Sequence, residues 1–110
     1  TASTSVHQDS LHTLAHVYHV DREDVPRFLT ASACALFTPH WMHAGWMDCN
    51  TGRAVAGDDY SRRFTPAREL LDAGQAVCFG SDWDVIRDPQ KGLSPVVGLQ
   101  TAITHRMPSS

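Results

Sequence analysis

A short apolar run that ends on an acidic residue constrains the fold of this chain more than any other feature. Residues 75–83 read QAVCFGSDW, so the run passes through Gly80 and reaches Asp82 between a hydroxyl and an indole. Covered parallel strands are nearly continuously apolar, and α/β folds hold their chemistry at the carboxyl ends of such strands. The run predicts a buried parallel strand that delivers Asp82 to the mouth of an active site. An aspartate that only caps the following turn is the alternative.

Length and composition exclude several classes of protein. The 110 residues make one domain, and a complete (β/α)₈ barrel needs about 250 residues. The net charge of -3 provides no basic patch for nucleic acid. No apolar run approaches the roughly 18 residues that span a bilayer. We therefore expect neither a nucleic acid nor a membrane as a partner.

The cysteine count favours free thiols. Cys34, Cys49 and Cys78 are an odd number, and two of the three lie in apolar runs. Buried thiols in a reducing compartment fit this pattern better than a disulfide framework, which remains the alternative. The expected location is cytoplasmic.

The hydrophobic period alternates between strand and helix along the chain. Apolar runs within residues 11–20, within 34–38 and before Gly80 predict three strands. The acidic stretch 21–24, followed by apolar Val25, Phe28 and Leu29, predicts the first helix, in which Pro26 is tolerated only near the first turn. Residues 40–63 show no sustained period and are predicted to be a long functional loop.

Two further helices are predicted from their starting residues. A proline follows Thr65, and another follows Ser94. In each case the pattern is typical of a helix start, with a capping hydroxyl before a proline at the first helical position. Gly74 is the expected end of the first of these helices. In the second, Val96, Leu99 and Ile103 make one apolar stripe along the helix.

The resulting order β-α-β-loop-α-β-α predicts an α/β fold with parallel strands and right-handed crossovers. Three strands cannot close a barrel, so we expect about three strands of a larger (β/α)₈ fold, together with their helices. Residues 1–10 are expected to be a disordered or expression-derived leader, 11–107 the barrel portion, and 108–110 a tail.

An ordered series of short motifs resembles the C-terminal third of one protein family. The motifs are HTLAH at 12–16, DVPRF at 24–28, TPHW at 38–41, RELLDAG at 68–74, FGSDW at 79–83 and GLQTAIT at 98–104. In this order they resemble metal-dependent hydrolases of the amidohydrolase superfamily, in the branch of predicted long-chain amidohydrolases. The resemblance covers roughly residues 11 to 107. The chain departs from the family pattern at Asp84, where the family usually has proline.

The resemblance implies a metal-holding (β/α)₈ barrel whose sixth to eighth strands are the three predicted here. His16 would match the histidine that ends strand six and binds metal or substrate, and Asp82 the strand-eight carboxylate that is both metal ligand and general base. We assign substrate binding to His40, Trp41 and Trp83. A divalent ion, zinc above all, would activate water for hydrolysis of C–N or ester bonds of a small molecule.

The remaining metal ligands of the family, a His-x-His on strand one, an acid or modified lysine on strand four and a histidine on strand five, would lie upstream. We therefore expect the isolated chain to hold no cofactor, to be inactive and to self-associate through its open strand edges. The alternative function is a non-catalytic regulatory or interaction domain derived from the same fold.

Other clusters have simpler interpretations. The pairs His16 with His19 and His40 with His43 offer four imidazoles, but residues three apart on a strand point to opposite faces. A metal site made of these histidines alone is therefore not favoured. The adjacent pair Arg62-Arg63 is interpreted as a surface patch.

Overall fold

The computed structural model describes residues 12–83 and 93–107, which form a small α/β fold. The predicted leader and tail, and Asp84, lie outside the described residues. The elements are β1 (His12–Ala15), α1 (Arg27–Thr30), β2 (Ala33–Phe37), a 3₁₀ turn (Pro39–Trp41), α2 (Met47–Ala56), α3 (Asp58–Arg62), α4 (Ala67–Asp72), β3 (Ala76–Phe79) and α5 (Pro95–Thr104).

The three strands form one parallel sheet in the order β1-β2-β3. Leu14 lies opposite Ala35 in the first pair, and Ala35 lies opposite Val77 in the second. The prediction of an α/β fold with three parallel strands is confirmed at this level. Neighbours in the sheet are also successive along the chain, and a helix follows each strand.

The two faces of the sheet have different surroundings. On one face, which we call the covered face, Ala33, Ala35 and Phe37 join the main core with Phe28 of α1 and Leu70 of α4. The opposite face, which we call the open face, carries Thr13, Ala15, Cys34, Leu36, Ala76 and Cys78, as the strand register requires. Its outer-strand positions Thr13, Ala15 and Ala76 are exposed. The helices thus pack on the covered face.

Short capping interactions set where the helices begin and end. The Ser94 hydroxyl accepts a hydrogen bond from the Val97 amide at 3.4 Å, which confirms the predicted start of α5. Thr65 was expected to cap α4 in the same way, and this is wrong. Its hydroxyl donates to the Phe64 carbonyl at 2.6 Å, and its own backbone lies at φ 55°. Gly74 ends α4 at φ 79°, a conformation that glycine adopts without a side-chain penalty.

Helix α1 is shorter than the acidic stretch before it suggested. Residues 22–26 form turns, and the helix begins only at Arg27, directly after Pro26 with φ -64°. Proline has no amide hydrogen and fits at the start of a helix but not in its interior.

The prediction of a long loop at 40–63 is wrong, because α2 and α3 occupy most of this segment. Gly57, at φ 81°, separates the two helices. Gly52 allows them to approach closely, since a methyl group there would overlap the Tyr60 ring. The pair has little apolar periodicity because most of it is exposed to solvent, while Cys49 is buried with 1% of its surface exposed.

The apolar stripe of α5 does not face the core. Val96, Leu99 and Ile103 are 70%, 50% and 80% exposed. The helix instead buries Gly98 and Thr101. A β-carbon on Gly98 would lie 3.0 Å from Cε1 of His40, so the absent side chain permits contact with the 3₁₀ turn. Close approach through small residues, rather than the apolar stripe, decides the orientation of α5.

Candidate functional site

The ends of the two outer strands bring His16 and Asp82 together. The His16 amide donates to the Leu36 carbonyl at 2.8 Å, just past the end of β1, and the Gly80 amide donates to the Phe37 carbonyl at 2.9 Å, just past β3. These bonds hold both chain exits at the same edge of the sheet. His16 Nε2 lies 3.9 Å from Asp82 Oδ2, and the two side chains are 39% and 40% exposed.

Both residues leave their strands through an unusual backbone conformation. His16 has φ 70° and Asp82 has φ 44°, in the left-handed region that residues with side chains adopt infrequently. Such conformations cost about 1–3 kcal/mol each and concentrate at functional sites. They turn an imidazole and a carboxylate toward each other at the sheet edge.

Two neighbouring aromatic rings pack against the His16 ring. The Trp41 ring stacks on it at 4.9 Å and 21°, and the Tyr18 ring lies 5.9 Å away at 26°. Trp46 stacks on Trp41 at 4.7 Å and 8°, which makes a continuous stack. Buried His16 Nδ1 has no hydrogen-bond partner within the described part of the chain. The aromatic contacts thus restrict the orientation of the His16 ring, and Nε2 is the nitrogen that approaches Asp82.

The three residues assigned to substrate binding occupy different environments. His40 is 2% exposed, and its Nε2 lies 3.2 Å from the Ser94 carbonyl oxygen. Trp41 is 5% exposed and stacks on His16, whereas Trp83 is 62% exposed. Trp83 alone of the three presents a largely exposed ring, whereas Trp41 packs against His16 and His40 packs against the start of α5. Their contact with a substrate stays a prediction.

The four histidines of the sequence analysis do not form one cluster. The His19 ring stacks on Tyr60 at 5.2 Å, and His43 lies edge-on to Trp46 at 6.4 Å. Partial burial lowers the pKa of His43. Within residues 12–83 and 93–107, no group of three or more His, Cys, Asp or Glu side chains is arranged to hold a metal ion.

Arg63 is a structural residue that the sequence interpretation assigned wrongly to the surface. Its side chain is 10% exposed, against 70% for that of Arg62. The Nη2 group of Arg63 donates to the Val20 carbonyl at 2.7 Å and to the Glu69 carboxylate at 3.2 Å. Arg63 therefore ties the segment after β1 to α4. Nothing in the sequence distinguishes it from Arg62, because the contact depends on the tertiary path of the chain.

A pair of thiols lies on the open face of the sheet. Cys34 Sγ of β2 and Cys78 Sγ of β3 are 3.2 Å apart, and both cysteines are free. The hydrogen bond between the thiols and the partial burial of Cys78 raise the pKa of Cys78. Neither sulfur was expected to have the other as its neighbour, because the sequence does not specify the register of the strands.

Comparisons with protein-family models, with curated proteins and with solved structures found no match to this chain. Among the described helices, none has the length and apolar character needed to cross a membrane.

Proposed function

We propose that this chain is the C-terminal portion of a metal-dependent hydrolase of the amidohydrolase type, acting on C–N or ester bonds, and that it is inactive without the rest of the barrel. The observation that carries the proposal is the approach of His16 Nε2 to Asp82 Oδ2 within 3.9 Å at one edge of a parallel sheet. Packing alone requires neither an imidazole nor a carboxylate there.

The sheet supports the barrel part of the proposal. Its strands are parallel, successive along the chain and covered by helices on one face, as in an arc of a (β/α)₈ barrel. The open face would then point to the barrel interior. The carboxyl ends of the strands, where His16 and Asp82 lie, are the end at which such barrels hold their active sites.

The two donor groups fit part of a zinc site. Imidazole nitrogen and carboxylate oxygen are both zinc ligands, and atoms 3.9 Å apart lie within the span of two bonds of about 2.1 Å each. Bound zinc would supply a hydroxide at neutral pH and polarise a carbonyl. A catalytic site needs three protein ligands, so the proposal requires further ligands from the upstream strands, and a cytoplasmic location remains part of it.

In this proposal, the chain contributes a base and an oriented imidazole. Asp82 accepts the proton of the attacking water and delivers it to the leaving nitrogen or oxygen. His16 presents Nε2 beside that carboxylate, with its ring plane fixed by Trp41 and Tyr18. Trp83, exposed next to Asp82, is placed to contact the small-molecule substrate.

Two assays test the proposal at different levels. The isolated chain with added zinc is expected to hydrolyse no member of a panel of amides and esters; turnover that Asp82→Asn removes would contradict the need for upstream strands. In the complete polypeptide, Asp82→Asn is expected to lower kcat about 10²–10⁴-fold, the usual contribution of a general base.

The control is Asp59→Asn, which changes an exposed carboxylate on α3 that pairs only with exposed Arg62 at 3.7 Å. It should leave kcat unchanged. Normal turnover by Asp82→Asn would overturn the catalytic assignment. Circular dichroism of both variants separates loss of the base from loss of the fold.

A non-catalytic interaction domain is the second candidate function, and one observation favours it. The apolar residues Val96, Leu99 and Ile103 of α5 are exposed together on one helix, as in a surface that binds a partner. Substituting Leu99 with Arg should leave the Asp82-dependent activity of the complete polypeptide intact under the hydrolase proposal. If the complete polypeptide has no hydrolase activity and Leu99→Arg abolishes binding of a partner protein, the chain is an interaction domain.

A further inference from the structure

The thiols of Cys34 and Cys78 form a two-sulfur pair that plays no part in the proposed hydrolase. Their Sγ atoms are 3.2 Å apart across two neighbouring strands. Cys34 is 7% exposed and Cys78 is partly exposed, so the pair is reached from the Cys78 side. Two sulfurs at this separation can share either a disulfide bond or a bound ion.

The strand register opposes the disulfide. Cys34 lies opposite Ala76, and Cys78 lies opposite Leu36, so the two cysteines are diagonal neighbours offset by two residues. With strands about 4.8 Å apart and a rise of about 3.3 Å per residue, their Cα atoms are roughly 8 Å apart. Disulfides need Cα atoms about 4.4–6.8 Å apart. A bond would therefore require movement of β2 or β3.

A bound ion needs only side-chain rotation. Two metal–sulfur bonds of about 2.3 Å each accommodate sulfurs up to roughly 4.6 Å apart. The sulfurs must move apart from 3.2 Å to reach a linear arrangement, and Cα atoms roughly 8 Å apart leave room for that separation through side-chain rotation. A disulfide would thus require the two sulfurs to move closer together, whereas a bound ion requires them to move apart.

We propose that Cys34 and Cys78 form a two-thiolate binding site for a soft monovalent cation of the copper(I) class. Soft thiolate ligands favour copper(I), zinc and iron–sulfur clusters, so the small number of ligands has to distinguish among them. No third His, Cys, Asp or Glu joins them in a ligand group within the described ranges, and a two-coordinate ion needs none. Zinc prefers four ligands and is therefore expected to bind this pair more weakly.

The binding step conserves charge and does not change any oxidation state. Each thiol loses one proton as its sulfur bonds to the cation, so two protons are released, and the bis-thiolate complex carries a single negative charge. In the isolated chain, the partial exposure of Cys78 leaves that charge in contact with solvent on the open face. Binding should therefore tighten as the pH rises.

The test is an anaerobic titration of the purified chain with copper(I) in competition with a chromophoric copper(I) chelator. The wild-type chain should bind a single ion. Cys34→Ser and Cys78→Ser should each weaken binding at least about 100-fold, beyond the 10–100-fold typical of losing a residue that only supports a ligand. Cys49→Ser, which removes the third free and buried thiol, should leave the affinity unchanged.

Two further measurements keep the proposal falsifiable if a variant fails to fold. On the wild-type chain, bound copper(I) should protect Cys34 and Cys78 from alkylation in mass spectrometry. Zinc in place of copper(I) should give no such protection. Equal protection by zinc, or binding that persists in both serine variants, would overturn the site. Rapid formation of a Cys34–Cys78 disulfide under mild hydrogen peroxide would overturn the geometric argument.

Discussion

The covered and open faces of the sheet have similar strand sequences but different surroundings. On the central strand β2, Ala35 and Phe37 of the covered face are 0% exposed, and Cys34 of the open face is 7% exposed. On the outer strands, Thr13, Ala15 and Ala76 of the open face are exposed, and Leu14 and Phe79 of the covered face are 47% and 44% exposed. Apolar strands predict burial of both faces, yet among the described residues the helices of the main core pack on one face only, and the outer strands stay partly open on both. A strand sequence therefore specifies what a face can bury, and the neighbouring elements decide whether it is buried.

The largest expected difference between the faces comes from cavity formation in the core of the covered face. Leu70 is 0% exposed and Leu71, next to it on α4, is 51% exposed. Leu70→Ala should lower the free energy of unfolding by about 2–5 kcal/mol, because it leaves a cavity against Phe37 and its neighbours. Leu71→Ala should cost much less. Urea denaturation of both variants measures the contrast, and equal losses would show that α4 does not pack as described.

A charge placed on adjacent residues of β3 compares the two faces directly. Val77 packs against the core, whereas Ala76 points to the open face and is exposed. Val77→Asp should destabilise the fold by about 1–3 kcal/mol more than Ala76→Asp, because only the first must desolvate a carboxylate. Because valine has a higher strand propensity than alanine, the cost of Val77→Ala is measured as well and subtracted before the two Asp variants are compared in thermal denaturation. A larger loss from Ala76→Asp would mean that the open face is covered in solution.

Self-association tests whether a second molecule covers the open face. The outer edges of β1 and β3 pair with no other strand of residues 12–83 and 93–107. These edges and the exposed apolar residues should make the apparent mass rise with concentration in light scattering. Ala15→Lys should weaken association at least about tenfold, since the ammonium would have to be desolvated in the contact. Val55→Lys, at a residue 86% exposed on α2, is the control. A wild-type chain that stays monomeric at high micromolar concentration contradicts the prediction.

The helical segment between β2 and α4 belongs to neither face and should give the smallest effect. Burial lowers the pKa of His43 in the folded chain from 6.5. Below about pH 6.5, the unfolded chain takes up a proton that the folded chain resists, so stability falls as the pH falls. His43→Gln should reduce this slope in thermal melts between about pH 7.5 and 5.5. If the dependence of stability on pH is the same in the His43→Gln variant, His43 does not cause the loss of stability at low pH.

The sequence predicted the strands well because their signals are local. Three apolar runs became β1, β2 and β3, and Ser94 capped α5 as its position before proline indicated. The helices α2 and α3 were missed because an exposed helix pair needs no apolar stripe. The site was predicted only as residue types at strand ends; the 3.9 Å separation of His16 and Asp82 depends on which strands are neighbours.

The sequence by itself determined the strand segments, the capping residue of α5 and the acidic residue at the end of the third strand, because each follows from residues close together in the chain. Only the tertiary structure decided that Gly98 rather than Leu99 faces the 3₁₀ turn, that only 10% of the Arg63 side chain is exposed, and that Cys34 lies beside Cys78. Each of these contacts joins segments that are distant in sequence. Their energies depend on strand register and close approach, which no local pattern of residues encodes.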